Sequence, residues 1–156
     1  MTVWRIPDGI TEITNEYVRD NMPEGTTEAV IPEGVKSIGG LVFHNCESLR
    51  LVSIPEGVES IGGLVFYNCE SLRLVVIPEG VKSIEGSAFS KCTRLVSVVI
   101  PESVENICSW AFNGCESLQS VVIPEGVESI GVHAFRSCTS LASIVIPKDV
   151  ESIGHY

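Results

Sequence analysis

Positive charge is scarce in this chain: ten lysines and arginines stand against twenty aspartates and glutamates in 156 residues, a net charge of -10. That balance repels a phosphate backbone instead of releasing its counterions, so nucleic acid and anionic membrane surfaces are excluded as partners. No apolar run is long enough to span a bilayer, which excludes membrane insertion. The opening MTVWRIPDGI lacks the charged segment and apolar run of a secretion signal, so an exported form would be a mature form or an excised piece. Also missing are a glycine-rich phosphate loop and any CxxC pair. The three histidines, His44, His133 and His155, stand beside no repeating serine or aspartate that would orient them. The expectation is a chain that is no enzyme and needs no cofactor or metal.

What the chain has is a period. Hydrophobic residues at 44% suffice for the core of one domain. Pro32, Pro55, Pro78, Pro101, Pro124 and Pro147 recur strictly at every twenty-third residue, and Phe43, Phe66, Phe89, Phe112 and Phe135 follow the same register. So do Leu49, Leu72, Leu95, Leu118 and Leu141, and five cysteines: Cys46, Cys69, Cys92, Cys115 and Cys138. A fixed period in this range signals a solenoid. Residues 1–30 read as a degenerate N-terminal cap, 31–145 as five uninterrupted repeats, and 146–156 as a partial sixth.

Local physics parses one unit. LVSI (Leu51 to Ile54), SVVI (Ser97 to Ile100) and SIVI (Ser143 to Ile146) alternate and are β-branched, which predicts a short strand. The proline after it removes a ladder donor, and Pro-Glu-Gly turns the corner. Val58 and Ile61 anchor a second extended stretch in GVESI. In GSAFSKC, Phe89 and Cys92 lie three apart, the spacing of one face of a helical turn. No coil can bury its own apolar residues, so each stacks against its copies. In the cap, TNEYVRDNM predicts a short amphipathic helix using Tyr17, Val18 and Met22.

The unit IPEGVxSIGxxAFxxCxxLxxVxI resembles the BspA-type leucine-rich repeat, a class found on surface proteins of bacteria and some parasites. The resemblance covers Ile31 to Ile153. It implies an α/β repeat solenoid, a right-handed leucine-rich-repeat superhelix that is β-rich with short helical turns, its strands forming a parallel sheet on the concave side. It also implies a cell-surface or secreted protein that adheres to a host or matrix protein; a cytoplasmic location stays open. Leu41-Val42 and Leu64-Val65 depart from the usual pair, and Cys108 stands where the unit has glycine.

With the core columns assigned to packing, function has to lie in the outward columns. On the sheet these include Leu51 and Leu74, and two residues further on Val76, Val99, Val122 and Val145, an apolar strip of the kind that marks interaction sites. Small β-branched residues also simply suit a strand. The least repetitive columns flank the phenylalanine and contain Tyr67, Trp110, His133 and Arg136, residue types favoured at binding hot spots. Partial burial in an edge groove would account for them equally.

Two charge columns and the cysteines complete the reading. Glu33, Glu56, Glu79, Glu102 and Glu125 form a solvated ladder, too flat to converge six oxygens on calcium. Lys36, Glu59, Lys82 and Glu105 alternate in sign, placing opposite charges on adjacent rungs. The five column cysteines share a face with Phe and Leu, so they are expected to be buried, reduced and unreactive, leaving Cys108 as the exposed thiol. The final unit carries no residues that would cap it. Its open apolar face and strand edge suggest truncation first and an end-to-end homo-oligomer second. A self-assembling repeat spacer is thus the alternative to a protein-binding scaffold.

Overall fold

A computed structural model describes residues 2–155 and winds them into a parallel β-solenoid of about seven turns. The main sheet has five parallel strands in the order β1 (Thr2–Arg5), β3 (Thr26–Val30), β5 (Leu51–Ser53), β7 (Leu74–Val76) and β9 (Ser97–Val99). Isolated bridges Ser97 to Ser120 and Val122 to Val145 extend the same register into the last coils. Alternation decides which way each residue faces. Val52, Val75 and Val98 point into the core, while their neighbours in the same strands stay at the surface.

In the first three repeats the corner after the proline is turned by a left-handed glycine, Gly34, Gly57 and Gly80 at φ 91°, 87° and 101°. The fourth coil has Ser103 there instead. Its hydroxyl accepts from the Gly80 N–H at 3.0 Å and donates to the Val81 carbonyl at 2.9 Å, tying the corner to the coil below.

Beyond the corner lies a second ladder of two-residue strands: β2 (Glu12–Ile13), β4 (Ser37–Ile38), β6 (Ser60–Ile61), β8 (Ser83–Ile84), β10 (Asn106–Ile107), β11 (Ser129–Ile130) and β12 (Ser152–Ile153). It divides into a three-stranded sheet, β2-β4-β6, and a four-stranded one, β12-β11-β10-β8. Within each of these sheets the residue after a strand donates to the isoleucine carbonyl one coil earlier, as Gly62 does to Ile38 at 2.8 Å and Gly131 to Ile107 at 2.7 Å. Close approach is what glycine permits here: a Cβ on Gly62 would sit 2.4 Å from the Gly40 nitrogen. At the dividing point that column holds Glu85 after Gly39 and Gly62, and no such bond joins it to Ile61. Cys108, one coil later, keeps its bond to Ile84 at 2.8 Å.

The third side of each coil differs in detail from the expected helical turn. It is a run of tight turns, closed by bonds such as Cys46 N–H to Phe43 carbonyl (3.2 Å) and Leu49 N–H to Cys46 carbonyl (3.0 Å). Two left-handed residues per coil prevent a helix from propagating. One column is Leu41, Leu64, Ser87, Trp110 and His133, at φ 56° to 64°; the other is Asn45, Asn68, Lys91, Gly114 and Ser137, at 57° to 74°. Turns and a helical face both place Phe and Cys three apart on one side, which is why the spacing alone could not separate them. These turns also stack, Phe66 N–H donating to the Ala88 carbonyl and Phe89 N–H to Ala111, each at 2.8 Å.

Among the described residues the one helix is α1 (Asn15–Asn21), in the cap. Thr14 caps it, its side chain accepting from the Tyr17 N–H, and Val18 is the residue it buries. Tyr17 stacks on Trp4 of β1 with centroids 6.2 Å apart. Between the three walls runs the core. Phe43, Phe66, Phe89, Phe112 and Phe135 stack face to face with centroids 5.2 to 5.4 Å apart, beside the parallel columns of leucine and cysteine.

Candidate protein-recognition surface

The outward face of the main sheet carries the apolar strip. Leu51 and Leu74 are register partners, as are Val76 and Val99, and Val122 bridges to Val145. All six are exposed, and the two in the last coils most of all, at 79% for Val122 and 77% for Val145. Isolated exposed valines are ordinary, but a column of four of them with the leucine pair beside its start makes an apolar strip.

The edge residues do not share this face. Trp110, His133 and Arg136 come together on the turn side: the Trp110 and His133 rings meet edge-on with centroids 4.5 Å apart, and the Arg136 guanidinium lies 6.0 Å from the Trp110 centroid. Tyr67 is not part of that cluster. It lies under Lys91, whose Nζ is 5.4 Å from its ring centroid. Lys91 was not among the residues singled out from sequence, although its place in the asparagine and glycine column marks it as a turn position. Trp110 and His133 occupy left-handed backbone that costs a Cβ-bearing residue roughly 1 kcal/mol or more. The conformation swings Trp110 outward, leaving it 38% exposed.

The cysteine column has a structural explanation with one correction. The thiols of Cys69, Cys92, Cys115 and Cys138 each donate to the phenylalanine carbonyl of the coil below, at 2.9, 3.1, 3.1 and 3.2 Å. Burial pushes the thiol of Cys92 up to about 12 and that of Cys138 up to about 11. Cys46, expected to be buried, is only half-buried. Beneath it lies α1 instead of a phenylalanine turn, so its thiol has no phenylalanine carbonyl below it and reaches the His44 carbonyl at 3.9 Å. Hydrogen bonding with the Cys69 thiol lowers the pKa of Cys46. The residue lines a cleft of about 660 Å³ between α1 and the first turn, with Arg19, Met22 and His44. Cys108 is also half-buried, its sulfur 3.4 Å from the Ser83 hydroxyl.

The alternating charge column forms the pairs its signs suggest, Lys36 with Glu59 at 3.6 Å and Lys82 with Glu105 at 2.7 Å. The Glu105 hydrogen bond and charge raise the pKa of Lys82. The glutamate ladder is exposed along its length. Among the described residues no three histidine, cysteine, aspartate or glutamate side chains cluster as metal ligands, and no helix is long and apolar enough to cross a membrane.

Stacked parallel coils, a phenylalanine spine and one strand per repeat define a leucine-rich-repeat solenoid. The BspA-type leucine rich repeat model matches residues 13–112 and 64–156, with six copies, and the chain belongs to that family. Among solved structures it is similar to a leucine rich cell surface protein of Faecalibacterium prausnitzii, at 34% identity and TM-score 0.77, covering 97% of this chain and 40% of that one. A leucine-rich repeat protein of Bacteroides ovatus matches at 37% identity and TM-score 0.76, over 83% of this chain and 33% of that one. The T. pallidum leucine rich repeat protein matches at 32% identity and TM-score 0.75, over 83% and 70%. The chain thus spans well under half the length of the first two. Comparison with curated proteins gave no significant match. The family is typically found on surface proteins, and its scaffold is generally non-enzymatic.

Proposed function

We propose that the chain is a non-enzymatic recognition module of a cell-surface protein, adhering to a host or matrix protein across the outward face of its main sheet. The observation that carries this reading is the apolar strip, the register pair Leu51 and Leu74 with the column Val76, Val99, Val122 and Val145, exposed in an otherwise strongly acidic chain. A rigid sheet of this kind presents its side chains with little entropy left to lose on binding. The test is capture of matrix and host-surface proteins on the immobilised chain and on Val99→Glu and Val122→Glu variants of unchanged circular dichroism. The variants should lose the partner, and a partner retained by both would move the site off the sheet.

A second reading, end-to-end association of two copies, is favoured by the last coil. There Ile146 and Ile153 are exposed around a cavity of about 210 Å³ lined by Phe135, Cys138, Leu141 and Ile144. Sedimentation of the wild type and of an Ile146→Glu, Ile153→Glu variant tests it. A monomer in both cases would end that reading.

A further inference from the structure

Two cations in this acidic chain ride on aromatic rings, Lys91 over Tyr67 and Arg136 over Trp110. Among the described residues the cations in ion pairs are Arg19, Lys36 and Lys82, so neither of these two is neutralised although twenty acidic residues are available. A ring beneath a cation fixes its position while leaving its N–H groups free to donate. Both pairs bridge neighbouring coils, from different columns: Tyr67 in the second repeat to Lys91 in the third, and Trp110 in the fourth to Arg136 in the fifth. The two cations therefore stand two coils apart, roughly 10 Å along the solenoid axis at about 4.8 Å per coil. Beside the second pair, His133 packs against Trp110, and its Nδ1 is buried with no hydrogen-bond partner. Such an atom is rare in native structures and is best met by an incoming polar group.

We propose that this turn-side edge binds an acidic segment of a protein partner, with two carboxylates about 10 Å apart received by Lys91 and Arg136. The proposal rests on the reading of the chain as a protein-recognition module, and gives it a second contact with its own chemistry. A guanidinium takes a carboxylate through two parallel N–H···O bonds, and the ammonium takes one as a point charge. In the polyproline II conformation, with three residues per turn and about 3.1 Å per residue, i and i+3 lie on one face roughly 9 Å apart, so acidic residues at that spacing match the two sites. The net charge of -10 repels an acidic segment from most of the surface, and of the cations outside ion pairs Lys91 and Arg136 are the two held in place on aromatic rings.

The test titrates a blocked Glu-Ala-Ala-Glu peptide into the full chain and follows tryptophan emission; Trp4 is buried, and a Trp110→Phe variant supplies the blank. Binding should be saturable, at least fivefold weaker in Arg136→Gln, weaker in Lys91→Gln and in the peptide Glu-Ala-Ala-Gln, and unchanged in Arg5→Gln. No saturable response, or equal binding by Arg136→Gln or by a Lys-Ala-Ala-Lys peptide, would overturn the proposal. A silent edge together with sheet-dependent capture of a partner would overturn this inference alone and leave the sheet reading standing.

Discussion

Inside the solenoid the columns are monotonous: phenylalanine five times, leucine five times, cysteine five times. Along the turn-side edge, two residues before each phenylalanine, the same period carries Leu41, Leu64, Ser87, Trp110 and His133. The difference follows from what each side chain touches. An interior residue touches mainly its own copies above and below, so a residue that stacks well on itself serves in every coil. An edge residue meets solvent, and its identity in one coil places few demands on the next. Uniform interior columns therefore report packing, and the varied edge columns are free of that demand.

That contrast can be broken most severely at the spine. Phe89 is fully buried between Phe66 and Phe112, so Phe89→Ala should lower stability by about 3–5 kcal/mol in chemical denaturation. A loss under 1 kcal/mol would mean the spine is not tightly packed. The thiol column predicts a second, pH-dependent effect. Burial raises the pKa of Cys92 and Cys138 above the value of about 9.0 for an unfolded thiol. The unfolded chain then releases these protons first, so stability present below pH 9 should fall as pH rises towards about 11 to 12. Cys92→Ala and Cys138→Ala should flatten that decline in melting curves recorded across the range. If the double variant declines as steeply as wild type, the thiols are not its cause.

On the outward columns the effects shrink. Ser87→Gly relieves a left-handed residue at φ 56°, partly offset by the greater freedom of unfolded glycine, and should raise stability by about 0.5–1 kcal/mol. Destabilisation there would mean that the Ser87 side chain makes a contact of its own. Val122→Glu should leave stability within about 0.5 kcal/mol of wild type, because Val122 is almost fully solvated. A large loss would place that valine in the core.

Most of the fold was legible because each column repeats its reason for existing: Ile, Val and Phe recur wherever the interior needs them. What escaped the sequence lies where one coil's surroundings differ from the next. Cys46 has the same neighbours in sequence as Cys69, yet it is half-buried because α1 lies beneath it in place of a repeat. Glu85 breaks the glycine column and coincides with the division of the second ladder, a signal present in the sequence but eclipsed by Cys108 beside it. At the candidate surface, alternation exposed the valine columns correctly. The pairing of Trp110 with Arg136 was not readable, since it depends on how one coil is offset over another.

The central claim is that the repeated cysteines belong to the packing and that function lies on the other faces. Counting thiols modified by iodoacetamide in the native chain, with peptide mapping by mass spectrometry, tests it directly. Cys46 should react first and Cys108 next, while Cys69, Cys92, Cys115 and Cys138 should react only after unfolding. Rapid native modification of any of those four would contradict the account.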